Sequence, residues 1–288
     1  MGTLCKPCSP SFSRLVQLSL VWAVFVLLSA SGMVAQAAGQ TWKNIAAGLD
    51  YAVFLSGENA TQAGEVHALR IVPEQVSFRL LTSSGQERES RPLKDWVQSF
   101  DLAAAINASM FWKDQRTSTG FLKNFEHFNN ESIHPEFGAF FAFNPKSADQ
   151  PPVRLIDRRN EPEWRSLIAK YHSVVQNYRM ISARGESVWQ PSDESYSVAA
   201  IAMDTQDRVL FLFSQSPRSI YGLNQTLLSL PLDIRMCMFV EGGPTAGMYI
   251  RTEGFEKGWR GVSDKGLWVE KPGRLFKIPN IIGVEQRR

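Results

Sequence analysis

Residues 196–214, "YSVAAIAMDTQDRVLFLFS", hold two apolar runs broken once, by Asp204, Thr205, Gln206 and Asp207. Their make-up reads as two buried strands, and the polar four as the turn that joins them. Such a pair needs enough other apolar sequence to enclose it. With 288 residues, 44% of them apolar and 20% charged, the chain has that material and the composition of an ordinary globular protein.

Other segments extend the sheet. "YAVFLSG" (51–57), "EVHALRIV" (65–72) and "VSFRLLTS" (76–83) are short, β-rich and bounded by Gly, Pro or polar residues, as in a meander. His67 and Arg70 of the second read as an edge or a solvated face. "RPLKDWVQSF" (91–100) places Leu93, Trp96, Val97 and Phe100 at helical spacing. "NEPEWRSLIAKYHSVV" (160–175) opens with Asn160 and Glu163 in capping-box spacing and Pro162 in the first turn, predicting a second helix with His172 near its end. "YGLNQTLLSLPL" predicts a third that stops before Pro231. Strand, helix, strand in that order is compatible with a crossover that lays the 237–240 strand beside the 208–213 strand. The expected fold is α+β, a single domain with a mixed, mainly antiparallel β-sheet core flanked by helices.

The first 38 residues differ in kind. Lys6 and Arg14 precede an apolar run over 15–28, and Ala35, Gln36 and Ala37 form the A-x-A arrangement of a signal-peptidase site. We read 1–38 as an export signal cut near Ala37, and 39–288 as the working domain, periplasmic or secreted. The competing reading is an uncleaved anchor, the single route to a membrane in this sequence. Cys5 and Cys8 form C-x-x-C, but they precede the apolar run and are lost on cleavage; Cys237 alone remains, inside an apolar segment, where it reads as a small buried hydrophobe. The chain carries 31 bases and 28 acids, and two of the bases lie in the first 38 residues. The near-neutral remainder offers no electrostatic footprint for nucleic acid.

Three polar knots interrupt the apolar pattern. In "AAAINASMFWKDQRTSTGFLKN" a buried strand runs into Asn107, followed by Phe111, Trp112, Gly120 and Asn124. Asn107 is either a turn former bonding its own backbone or a donor and acceptor for a sugar hydroxyl against an aromatic wall. In "SVVQNYRMIS" the polar Gln176, Asn177, Tyr178 and Arg179 sit between apolar pairs. An unpaired buried polar group costs about 1–3 kcal/mol, so these side chains have partners or face a cavity. Arg179 holds either a phosphate or an acid. In "CMFVEGGPTAGMY" an apolar strand drives into Glu241, then Gly242, Gly243, Pro244 and Thr245. Glycine there lets a ligand approach the backbone, and successive N–H groups can form an anion nest.

The four histidines (His67, His127, His134 and His172) show no metal-ligand spacing, and neither a G-x-S-x-G elbow nor a phosphate loop is present. The three knots, with the strand pair 197–213 between the second and third, resemble the phosphodiester glycosidase family across roughly residues 65–285, and its bacterial periplasmic branch in particular. "INASMF" with Gly120 and Asn124, "AIAMDTQDRVLFLFS" and "VEGGPTAGMYI" carry the resemblance. Two positions depart from it: Glu241 stands where the family usually has Asp, and Val198 where it usually has Arg.

The resemblance implies an exported glycoside hydrolase acting on a sugar-1-phosphodiester or a related envelope glycan. Glu241 would be its principal carboxylate and Asp204 a second candidate that is equally a turn residue, since glycoside hydrolysis usually needs two. Asn107, Asn124, Gln176 and Asn177 would bind hydroxyls, Arg179 the phosphate, with Gly120, Gly242, Gly243 and Thr245 against the ligand. No cofactor is predicted and no residue is assigned as a metal ligand, with the metal requirement left open. The alternative is a non-catalytic envelope protein that binds glycan or a partner on the same scaffold.

Overall fold

The computed structural model describes residues 41–55, 64–86, 89–262 and 276–287; the signal read at 1–38 lies outside them. In chain order the elements are β1 (Lys43–Ala46), β2 (Leu49–Leu55), β3 (Glu65–Ile71), β4 (Val76–Thr82), α1 (Leu93–Ser99), β5 (Ala104–Asn107), β6 (Leu122–Asn124), β7 (His127–Asn130), β8 (Ala139–Pro145), β9 (Val153–Asp157), α2 (Trp164–Ile168), β10 (Tyr171–Asn177), β11 (Arg179–Ile181), β12 (Tyr196–Asp204), β13 (Val209–Arg218), α3 (Ile220–Ser229), β14 (Ile234–Gly242), β15 (Gly247–Thr252), β16 (Phe255–Arg260) and β17 (Asn280–Gln286). They form an α+β domain with a mainly antiparallel β-sheet core flanked by helices. The strands fall into three sheets, ordered β1-β2-β3-β13-β12-β14-β11, β7-β6-β10-β8-β9 and β16-β15-β5-β17-β4.

The three sheets enclose one core. Phe211, Ile201 and Met238 of the first sheet, Phe141, Phe143 and Val175 of the second, and Phe78, Ile106 and Ile282 of the third all belong to it. Phe78 is the junction: its ring lies 5.8 Å from Phe141, 5.9 Å from Phe143 and 6.3 Å from Phe211. Each sheet also has an apolar outer face, and one helix covers each. Ile220, Leu223 and Leu227 of α3 pack on the first sheet, Trp164 and Leu167 of α2 on the second, and Leu93, Trp96 and Val97 of α1 on the third. Burial on both faces is why β12 and β13 read as unbroken apolar runs instead of alternating ones. Along β12, Ala199, Ile201 and Met203 face the common core while Val198, Ala200 and Ala202 face α3.

Several expectations change. The meander breaks after its second strand, because β4 leaves β3 and pairs with β17 in another sheet. His67 is on an interior strand, 3% exposed, with Nδ1 3.0 Å from the Tyr51 hydroxyl and its ring 4.8 Å from Trp259. Burial depresses its pKa to about 4. The second helix stops at Ile168, since residues 171–177 pair with β8 and β6 as β10. Asn160 does not cap that helix; its side-chain amide donates to Asp157 Oδ2 (2.6 Å). His172 therefore sits on a strand, stacked 4.7 Å from Phe125. The crossover expectation fails in adjacency: β13 and β14 run in the same direction, but β12 lies between them and pairs antiparallel with both.

Phe78 gives a direct test of the shared core. Phe78→Ala removes the ring that three others meet, with an expected loss of about 3–5 kcal/mol in urea unfolding; a loss under about 1 kcal/mol would mean that the sheets do not share a packed core.

Candidate functional site

The C-terminal ends of β5, β10 and β14, one strand from each sheet, meet at the 240–247 segment. Two buried side-chain amides make the junction. Asn107, at the end of β5, donates through Nδ2 to the Thr245 carbonyl (3.0 Å) and accepts from Gly247 N–H at Oδ1 (2.7 Å). Asn177, at the end of β10, donates through Nδ2 to the Val240 carbonyl (3.1 Å) and accepts from Tyr178 N–H (2.7 Å). Phe239 N–H then donates to the Tyr178 carbonyl (3.0 Å). Asn107 thus bonds the backbone of a distant turn instead of its own.

Glu241 lies in this junction, 7% exposed. A register shift in the β12–β14 pairing, where Ala199 faces Glu241 and Ala200 faces Phe239, places an extra residue in β14 just before the acid. Gly242 N–H donates to Glu241 Oε1 (3.0 Å). Thr245 Oγ1 donates to the Gly242 carbonyl (3.3 Å) and lies close enough to the same carboxyl to lower its pKa. Burial nevertheless dominates and pushes the carboxyl up to about 8, against the Gly242 N–H and Thr245, which pull it down. Gly242 has no room for a side chain, since a Cβ would stand 2.8 Å from the Tyr196 ring. Gly243 adopts φ +67°, with nothing within 4 Å of a Cβ built on it. Tyr196, which covers Gly242, gave no signal in the sequence beyond opening a strand. A cavity of about 400 Å³ adjoins the turn, bordered by Pro244, Thr245, Tyr249, Trp259 and Arg260.

Among the described residues two other acids, Asp157 and Asp204, are buried. Asp157 takes Arg179 Nη1 on both oxygens (2.7 and 2.9 Å) and Ala183 N–H on Oδ2 (3.0 Å). Burial alone would raise this carboxyl, but Ala183 N–H and Arg179 outweigh it and hold it below the usual range. Asp204 accepts Gln206 N–H and Arg208 N–H (both 2.9 Å) and pairs with Arg208 Nε (2.6 Å). Each aspartate has an arginine, whereas no cation is among the groups that shift Glu241.

The remaining candidates divide cleanly. Asp204 faces Ile234 at the opposite end of β14 from Glu241, about 20 Å away at ~3.3 Å per residue. It is a turn residue. Gln176 uses its whole amide on backbone: Oε1 accepts Phe121 N–H and His134 N–H, and Nε2 donates to the His134 and Phe137 carbonyls. Asn124 donates to the Leu80 carbonyl (3.1 Å) and accepts from Ser173 Oγ (2.7 Å). Gly120 is a close contact, where a Cβ would lie 2.7 Å from the Gln176 carbonyl oxygen and from Phe137. Phe111 is bridged to Ser118 and Trp112 is 55% exposed. Glu241, Gly242, Gly243, Thr245, Asn107 and Asn177 are therefore brought together. Arg179, opposite Met238 on β11, is nearby in the sheet but committed to Asp157. Among the described residues no cluster of three or more His, Cys, Asp or Glu has the arrangement to hold a metal ion.

Arg179 and Glu241 make separable predictions. Arg179→Met leaves Asp157 buried without its cation and costs about 3 kcal/mol or more in urea unfolding; unchanged stability would show that the pair is not structural. For Glu241, the folded value near 8 lies above the ordinary 4.5. Its stabilising contribution is complete below pH 4.5 and is lost as pH rises toward 8. Glu241→Gln should flatten the stability–pH curve across that window, and a slope equal to that of the parent protein would contradict the assignment.

No curated protein matches the chain. Among solved structures, a hypothetical protein from Synechocystis is similar at TM-score 0.57 and 14% identity, over 88% of this chain and 65% of that one, so this chain spans just under two thirds of that relative's length. The catalytic domain of zebrafish N-acetylglucosamine-1-phosphodiester alpha-N-acetylglucosaminidase, auto-inhibited by its pro-peptide, is similar at TM-score 0.57 and 9% identity, over 86% of this chain and 87% of that one. At these identities the two structures share a fold with this protein. The family model for phosphodiester glycosidase matches residues 100–285, which is more than half of the sequence and includes all three strand ends of the junction. The chain belongs to the phosphodiester glycosidase family.

Proposed function

We propose that the protein is an exported hydrolase that cleaves the glycosidic bond of a sugar-1-phosphodiester or a related envelope glycan, with Glu241 as its principal carboxylate. The observation that carries this reading is a glutamic acid at the meeting point of three strand ends, buried and, among the described residues, with no arginine or lysine paired to it. A group poised near 8 is protonated at neutral pH and able to give that proton to a leaving oxygen. Family membership supports the class of reaction. The Gly243 backbone, with nothing within 4 Å of a Cβ built on it, leaves room for a ligand beside the turn that follows Glu241. The export signal read at 1–38 supports action in the periplasm or outside the cell.

One observation favours a second reading. Asp204 stands at the far end of β14, so it does not supply the second carboxylate expected for glycoside hydrolysis at the junction. A glycan-binding protein without catalysis on the same scaffold would need only one.

Turnover separates the two. Incubation with a panel of sugar-1-phosphodiesters and envelope glycans should give cleavage that Glu241→Gln lowers by about 10²–10⁴-fold. The activity should decline as pH rises through about 8, where the donor loses its proton. Saturable binding with no turnover, unaltered by Glu241→Gln, would establish the binding protein instead.

A further inference from the structure

Ser84 and His127 bring a nucleophile and a base together at a second place in the fold. β4 is the edge strand of the third sheet and β7 that of the second. Ser84 lies just beyond β4, and His127 opens β7 opposite Asn124. β17 separates β4 from β5, whose end carries Asn107, so the pair stands apart from the junction around Glu241. Ser84 Oγ is 2.9 Å from His127 Nε2, inside the ~2.6–3.2 Å reach of a general base for a serine nucleophile.

The remaining partners of Ser84 fix where its proton goes. Asn129 Oδ1 accepts the Ser118 N–H (2.7 Å), which orients the amide and aims Nδ2 at Ser84 Oγ (2.8 Å) and at the Arg116 carbonyl (3.0 Å). Ser84 Oγ therefore accepts from Asn129. Its own proton has two acceptors in range, His127 Nε2 at 2.9 Å and Thr82 Oγ1 at 3.3 Å. Thr82 Oγ1 already accepts the Gly85 N–H (2.9 Å), and the shorter bond runs to His127. That puts the ring proton on Nδ1 and an unprotonated Nε2 against the hydroxyl. One lone pair of Oγ stays free for attack. The Asn129 amide stabilises the negative charge that develops on Oγ as the proton leaves.

The turn itself is shaped for this approach. A Cβ at Gly85 would stand 2.9 Å from Thr82 Oγ1 and 3.0 Å from His127 Cδ2, so glycine lets the imidazole close on the serine. Gly85 is exposed, and Ser84 and His127 are half-buried. Ser83, next in the chain to Ser84, and Arg116, whose carbonyl shares the Asn129 amide, border a cavity of about 370 Å³. A purely structural bond would tie this turn to β7 and leave the hydroxyl inert, so the two roles differ in reactivity.

We propose that Ser84 and His127 form a nucleophile–base dyad that hydrolyses carboxylic esters, independently of Glu241. In the step itself, Ser84 Oγ bonds to the ester carbonyl carbon as its proton passes to His127 Nε2. The bond from that carbon to the alcohol oxygen then breaks, both electrons go to the oxygen, and it takes the proton from His127. Water repeats the sequence on the acyl-serine, which releases a carboxylic acid and restores Ser84.

The test reads the serine directly. The purified protein is treated with a fluorophosphonate, which captures activated serines, and the adduct is located by peptide mass mapping; p-nitrophenyl acetate reports turnover. The expected result is an adduct on Ser84, formed about tenfold or more slowly in His127→Gln, and ester hydrolysis whose kcat/KM falls about 100-fold or more in Ser84→Ala and in His127→Gln. Urea unfolding midpoints establish that the variants are folded. A Ser84 that stays unlabelled in the parent protein would overturn the proposal whatever the variants do. Labelling at the parent rate in folded His127→Gln would remove the base from the dyad and overturn it too. Ester turnover that is absent, or that both folded variants leave unchanged, would show the Ser84–His127 bond to be structural.

Discussion

Two buried side-chain amides hold the centre of this molecule together. Asn107 and Asn177 arrive from different sheets and hydrogen-bond the backbone of a third strand and its turn, on either side of Glu241. A common apolar core can press three sheets together, but hydrophobic contact is non-directional and leaves the relative height of the strand ends loosely set. The amides supply what the core lacks, because a buried donor or acceptor left unmade costs about 1–3 kcal/mol, so each bond fixes its two partners in register. The geometry of the acid, the turn and the neighbouring tyrosines follows from that fixation.

The treatment of buried charge in the rest of the fold gives Glu241 its meaning. Asp157 and Asp204 are fully buried, and each is neutralised by an arginine and bonded by backbone N–H groups. Both are structural: one ties β9 to β11, the other closes the β12–β13 turn. Among the described residues Glu241 has Gly242 N–H as a donor and Thr245 beside it, which together do not offset its loss of hydration, and its proton is retained as a result. A fold that pairs its other buried carboxylates and leaves this one without a cation spends stability at a single place, as functional sites commonly do.

Much of this architecture was legible in the residues. The unbroken apolar runs of β12 and β13, the helical spacing of Leu93, Trp96 and Val97, and the stop of α3 before Pro231 each carry their own local signal. What misled was tertiary. Leu167, Tyr171, Val174 and Val175 fall at helical spacing, yet 171–177 pair between β6 and β8, which buries Tyr171 and Val174 under α2 and Val175 in the common core. His67 reads as polar and therefore exposed, but Tyr51 hydrogen-bonds it and Trp259 covers it. Residues of the three polar knots meet at one junction, but several of their side chains take partners that no local pattern indicates. Gln176 and Asn124 reach backbone and a neighbouring serine instead of ligand, and Arg179 reaches Asp157, a residue 22 positions away that no local pattern connects to it. Polar residues inside apolar runs announce that partners exist, and only the fold says which.

Glu241 keeps its proton at neutral pH because the junction desolvates it without a counter-charge among the described residues. The most direct measurement is a carbon NMR titration of side-chain-labelled glutamate, with the Glu241 signal assigned by its disappearance in Glu241→Gln. The account predicts a midpoint near pH 8 for that one carboxyl. A midpoint in the ordinary range, close to 4.5, would contradict it.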